Sequence, residues 1–202
     1  MLASQAPACR GSAPPIVRIL LGCLASLAAG SGALASPPPG EATPVGAPAP
    51  ALSLPSLDHG MQDLAALRGK VVLVHFFATW CEPCRDETAA LARLARRLED
   101  RPFALLAVDV GEGEVRVRRF FEAEPMPFPV LLDDDRAAMK AWKVSLYPTS
   151  VVLGPEHDVR FSVAGPVDWD ASAATAALES LLDPAEAAAP GPQPSLELRS
   201  RP

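Results

Sequence analysis

From Val71 to Phe77 the chain reads Val-Val-Leu-Val-His-Phe-Phe, an apolar run in which only His75 is polar. A run of this length, rich in β-branched and aromatic residues and without alternation, predicts a strand buried on both faces, as in a parallel sheet. From Glu82 the period changes. Leu91, Leu94, Ala95 and Leu98 recur at helical spacing and predict a helix from Glu82 to Asp100, with Pro83 tolerated in its first turn. Phe103 to Val110 is a second apolar strand, so strand, helix and strand imply a right-handed parallel crossover.

The patterning continues downstream. Val115, Val117, Phe120 and Phe121 give a helix within Glu114 to Glu124, and Phe128 to Leu132 a short strand. Asp133-Asp134-Asp135 reads as a turn and helix cap before a short helix from Arg136 to Trp142. Strands follow at Ser150 to Leu153 and Val159 to Val163, joined by the turn from Gly154 to Asp158, and Ala171 to Leu182 closes as a helix. Upstream, Leu52, Leu54 and Leu57 alternate across Pro55, and Asp58-His59-Gly60 turns the chain back into Met61 to Leu64. Leu64 to Arg68 can make one helical turn ended by Gly69. The expected class is α/β.

Composition sets the boundaries. Of 202 residues, 23 are proline, and many of these crowd residues 37–55 and 184–202. The expectation is a Pro-rich linker over 36–48, a domain over 49–183, and a disordered Ala/Pro-rich tail over 184–202. Residues 1–35 hold Arg10 and Arg18, no acid, an apolar run from Ile19, and Ala33-Leu34-Ala35 at the end. That is the pattern of a signal peptide. Two other readings stay open: an uncleaved membrane anchor over 16–35, and a lipid-modified Cys23 after Leu20-Leu21-Gly22. All three place the domain outside the cytoplasm, periplasmic or exported. A net charge of −6 and the lack of any Lys/Arg block argue against a nucleic-acid partner.

Of the four cysteines, Cys9 and Cys23 lie in the removable segment, which leaves Cys81 and Cys84. One adjacent pair in an exported chain is not a disulfide scaffold. Zinc would need four ligands, and the sequence offers no second cysteine pair, so no metal site is expected. Cys81 stands at the predicted helix N-terminus, where orphan amides and the dipole favour a thiolate. The spacing points to thiol–disulfide exchange, with Cys81 the attacking sulfur and Cys84 the resolving one.

Trp80-Cys81-Glu82-Pro83-Cys84 after a buried strand resembles the thioredoxin superfamily, and the Glu-Pro pair resembles its TlpA/ResA branch of thiol-disulfide reductases. The resemblance, from Ala49 to Leu182, implies a thioredoxin fold: a central mixed β-sheet flanked by helices, with an N-terminal β-hairpin and a central βα insertion. It implies that Pro148, in Tyr147-Pro148-Thr149, is the superfamily's cis-proline facing the cysteines. Trp80, Glu82, Pro83, Tyr147 and Thr149 would then line the substrate groove. It also identifies Glu112, after the strand ending at Val110, with the branch's active-site glutamate, in proton exchange with Cys84; a charge at the following helix N-terminus is the alternative. His75 stands where thioredoxins carry a buried Asp. It reads either as a proton relay to Cys84 or as a hydrogen-bonded core residue.

The function so implied is an exported oxidoreductase that reduces protein disulfides by Cys81 attack and Cys84 resolution, with no cofactor beyond that redox-active disulfide. By the resemblance, its electrons come from a membrane thiol donor. Its substrates would be an apocytochrome c haem-attachment pair or the copper-site pair of cytochrome oxidase. A monomer is expected. Two alternatives stay open, a Cu(I)-binding chaperone and a peroxide-reducing member of the same fold.

Overall fold

A computed structural model describes residues 44–183 of the chain. The signal or anchor segment at 1–35, with Cys9 and Cys23, the linker as far as residue 43 and the tail from residue 184 lie outside the described residues. Among the described residues no helix is long and apolar enough to cross a membrane.

The chain enters along the edge of the domain. Gly46 donates its N–H to the carbonyl of Val159 at 2.7 Å, and Val159 donates to Ala47 at 2.9 Å. Residues 46–48, assigned by composition to the linker, are therefore paired to the domain: a proline-rich strand still has carbonyls with which to accept. Strands β1 (Ser53–Pro55) and β2 (Met61–Asp63) then form the expected antiparallel hairpin. A 3-10 turn at Leu64–Leu67 follows, its Ala65 N–H capped by the Asp63 carboxylate, and Gly69 ends it at φ 85°.

The main elements alternate. They are β3 (Val71–Phe77), α1 (Glu82–Arg97), β4 (Phe103–Val110), α2 (Glu114–Phe121), β5 (Val130–Asp133), α3 (Ala137–Ala141), β6 (Thr149–Leu153), β7 (Val159–Ala164) and α4 (Ser172–Leu182). The sheet order is β5-β4-β3-β6-β7. β3 runs parallel to β4, β4 parallel to β5, and β6 antiparallel to both β3 and β7. The sheet is thus mixed, with the β5–α3 insertion supplying one edge and the hairpin bridging onto it at Ser56 and Leu131.

β3 is central, and all its residues are buried. Val71, Leu73 and Phe77 pack with α1 and α4, whereas Val72, Val74 and Phe76 pack with α3 and the hairpin. Period-2 alternation therefore turns His75 toward α1. Two helices stop short of expectation. α1 ends at Arg97 rather than Asp100, and α2 at Phe121 rather than Glu124. In both cases acids (Glu99 and Asp100; Glu122 and Glu124) meet the negative end of the dipole just before a proline that disfavours helical backbone. β5 likewise starts at Val130 rather than Phe128, because Pro129 has no N–H for the ladder.

Candidate active site

The cysteines sit where β3 gives way to α1. Cys81 is the N-cap of α1, and its sulfur accepts the backbone N–H of Cys84 at 3.3 Å. The two are joined as a disulfide, with Cα atoms 5.3 Å apart. When the pair is reduced, the same amide and the helix dipole favour a thiolate on Cys81. Cys81 is less exposed than its helix-end position suggests, at 5%, with Cys84 at 2%. Exposure belongs instead to Trp80, at 60%, and to the side chains of Glu82 and Pro83.

Tyr147–Pro148 is a cis peptide bond, as the resemblance implied. Pro148 accepts the N–H of Gly165 through its carbonyl at 2.8 Å, and Thr149 donates its hydroxyl to the carbonyl of Leu146 at 2.7 Å. Trp80 and Tyr147 meet edge to face, centroids 6.0 Å apart. Since Trp80 precedes Cys81 and Tyr147 precedes Pro148, this contact brings the cis-proline turn beside the cysteines. The Tyr147 hydroxyl donates to the Met139 sulfur at 2.9 Å, and burial raises its pKa. Clefts flank α1's first turn: one of about 440 Å³ lined by Glu82, Pro83, Pro166 and Val167, the other of about 540 Å³ lined by Glu82, Arg85, Phe120 and Met126.

Glu112 stands at the end of the sheet that leads into the cysteine loop. It is buried, but it bonds the loop ahead of Cys81: one oxygen accepts the Thr79 N–H at 2.5 Å, and the other the Thr79 hydroxyl at 2.8 Å. Arg116 Nε lies 2.6 Å from that second oxygen. The structure therefore brings Glu112 to Thr79, two residues before Cys81, where it anchors the redox loop. The left-handed Gly111, φ 73°, turns the chain out of β4 to reach it.

His75 is held on both sides. Its Nδ1 lies 2.9 Å from the Ser150 hydroxyl, and its Nε2 is 3.6 Å from Glu87 Oε2. Burial lowers the His75 pKa to about 4, so the imidazole is neutral near pH 7 and the Glu87 contact is not an ion pair. His75 and Cys84 share the walls of a void of about 10 Å³, close to the size that admits one water.

Two buried acids complete the site, and neither was singled out from the sequence. Glu87 accepts the Val167 N–H with its Oε1. Its signal was an acid on the apolar stripe of α1, in line with Cys84 and Leu91. Asp109, fully buried near the end of β4, accepts the Glu112 N–H at 3.3 Å. Burial, and then the neighbouring Glu112 carboxyl, push its pKa up to about 8. Its signal was a lone acid inside an apolar strand. Among the described residues no group of three or more His, Cys, Asp or Glu side chains is placed to hold a metal ion.

A sequence profile of the AhpC/TSA family matches residues 45–162, a span holding both cysteines, Glu112 and Pro148. The chain belongs to the AhpC/TSA family. Within it the likeness is to the TlpA/ResA branch of the thioredoxin superfamily. Thiol-disulfide oxidoreductase ResA of Bacillus subtilis is 34% identical over 125 residues, covering 62% of this chain and 70% of that protein. A thiol:disulfide interchange protein of the thioredoxin family from Chlorobium tepidum superposes with a TM-score of 0.62 at 25% identity, covering 70% of this chain and 100% of that one. StoA from Bacillus subtilis, at 22% identity and a TM-score of 0.54 over 62% of this chain and 94% of its own, shares the fold. Like ResA of Bacillus subtilis, and with its Cys81–Cys84 disulfide at the head of α1, the chain is a thiol-disulfide oxidoreductase.

Proposed function

We propose that the chain works outside the cytoplasm as a reductase of protein disulfides. The observation that carries this reading is the exposed Trp80, set edge to face against Tyr147 beside the N-cap Cys81. It forms a surface on which an extended polypeptide can lie, with its disulfide over the more accessible sulfur. The Cys81 thiolate attacks one substrate sulfur; the substrate S–S bond breaks, a mixed disulfide forms and one substrate thiolate leaves. The Cys84 thiolate then attacks the Cys81 sulfur, closing the internal disulfide and releasing the second substrate thiolate. Two electrons pass to the substrate, and a membrane thiol donor restores the dithiol. The exposed Glu82 and Pro83 frame the groove, while Thr149, buried behind Pro148 with its hydroxyl on the Leu146 carbonyl, supports the turn.

The export pattern of residues 1–35 supports the location, with the segment cleaved, kept as an anchor or lipidated at Cys23. By the resemblance, the substrate class is an apocytochrome c haem-attachment pair or a copper-site pair, taken up by a monomer. Equilibration with a thiol redox buffer tests the direction of electron flow. A potential near or below roughly −250 mV supports a reductase, and one near about −120 mV makes the chain a disulfide donor instead. Cys84→Ser should trap substrates as mixed disulfides on Cys81, and Cys81→Ser should trap none.

A further inference from the structure

Asp109 and Glu112 are two carboxyls placed back to back, and only one of them has partners suited to a charge. Glu112 receives both donors of Thr79 and the guanidinium of Arg116. Asp109 Oδ1 receives one amide, no N–H donor among the described residues reaches its buried Oδ2, and its side chain faces the Glu112 carboxyl. An ionised Asp109 would hold an unsolvated charge against a second carboxylate, so the neutral form wins.

We propose that Asp109 is a positioning residue of the redox site: its proton keeps Glu112 seated on Thr79, and loss of that proton releases the loop carrying Trp80 and Cys81. The argument is geometric. Asp109 pairs with Phe77 across the β3–β4 ladder, so the residues just beyond each, Thr79 and Glu112, meet over the same sheet end. A charge appearing on Asp109 pushes the Glu112 carboxylate outward, and Arg116, 63% exposed, offers it a seat nearer solvent. Thr79 then loses the acceptor for its N–H and its hydroxyl, two residues ahead of the attacking sulfur. Burial holds the Asp109 proton on up to about pH 8, which puts the release in a mildly alkaline range.

The other groups that face this pair come from every element around it. Asp134 and Glu112 raise the Asp109 pKa by their charge, and Arg136 and Asp133 lie close enough to act with Asp109 on Tyr147. The arginines keep their charge throughout. Asp133 is committed to α3, accepting the N–H groups of Ala138 and Met139 at 3.0 and 2.8 Å. Tyr147 is pushed above the range of a phenol.

The test uses the disulfide form, in which no thiol titrates and no substrate is needed, so its outcome is independent of the direction of electron flow. The Thr79 amide shift, followed by NMR from pH 6 to 9.5, should show an inflection near pH 8, and exchange protection of that amide, corrected for base catalysis, should fall about tenfold across it. In Asp109→Asn both changes should vanish. Should that variant not fold, Glu112→Gln serves: the Asp109 carboxyl carbon should then titrate at lower pH than in the parent, because the like charge is gone. A Thr79 amide without an inflection overturns the proposal. So does an inflection that persists in Asp109→Asn, or an Asp109 titration that Glu112→Gln leaves unmoved.

Discussion

His75 Nε2 lies 3.6 Å from the Oε2 of Glu87, and the two side chains stand behind Cys84 as one buried unit. The unit ties four segments together: Ser150 after the cis-proline, β3, α1, and Val167 beyond β7. Each segment contributes to the rim of the redox site, so the pair sets how the rim is assembled as well as the polarity beneath the resolving sulfur.

Glu87→Gln should therefore act on Cys84 first. Replacing the buried carboxyl one helical turn from the thiol by an amide should move Cys84 toward its thiolate, read from thiolate absorbance or ¹³C shifts in the reduced protein. His75→Asn should move it less, because the imidazole is neutral. An unchanged Cys84 in His75→Asn leaves His75 as a hydrogen-bonded core residue. Glu87→Leu should cost about 2–3 kcal/mol in urea unfolding, since the Val167 amide and His75 would both lose a buried partner.

Stability should respond to pH through two groups of opposite sense. His75 titrates near 4 when folded against 6.5 when free, so the stability linked to it is present above pH 6.5 and lost as pH falls toward 4. Asp109 titrates near 8 when folded against 3.8 when free, so its linked stability is present at acid pH and lost as pH rises toward 8. The slopes oppose each other up to pH 6.5, and only the loss due to Asp109 remains from there to pH 8, with a ceiling of about 1.4 kcal/mol per pH unit for one proton. Urea midpoints against pH should run flat and then fall. Asp109→Asn should abolish the fall above pH 6.5, and His75→Asn should let the fall begin at lower pH.

Thr79→Val keeps the amide bond to Glu112 and deletes the hydroxyl that Glu112 and Arg116 share. A loss of about 1 kcal/mol in stability is expected, together with a change in the iodoacetamide rate of Cys81. A variant that loses stability but leaves Cys81 reactivity untouched would make the anchor purely structural.

Trp80→Ala should separate binding from folding. The ring is mostly solvent-facing, so stability should move by less than about 0.5 kcal/mol, whereas kcat/KM for a protein disulfide should drop roughly tenfold, or about 1.4 kcal/mol. Reduction of a small aromatic disulfide, which needs no groove, should change far less.

Much of this was legible in the residue pattern. The bounds of β3 and β4 follow directly from where their apolar runs begin and end, and Cys81 and Cys84 announce themselves by their spacing at a strand-to-helix junction. The helix ends were not, because helical periodicity runs on past Arg97 and Phe121, and only the acids and prolines beyond them stop the helix. The partner of Glu112 was hidden for another reason: its bond to Thr79 spans 33 residues and depends on the β3–β4 register, which no local pattern reports. Glu87 and Asp109 were visible as acids in apolar company. What they touch depended on the Val167 loop and the turn at Gly111, which only the folded chain brings near.

The disulfide is buried, and beside it the exposed Trp80 meets Tyr147. On the function proposed above, donor and substrate both exchange through Cys81, so they must take the same berth one after the other. Traffic through this site is therefore turn-taking: initial-rate plots at several donor concentrations should run parallel, and a partner slow to leave blocks its own resupply. The cell must then control the rate through how long each visitor stays.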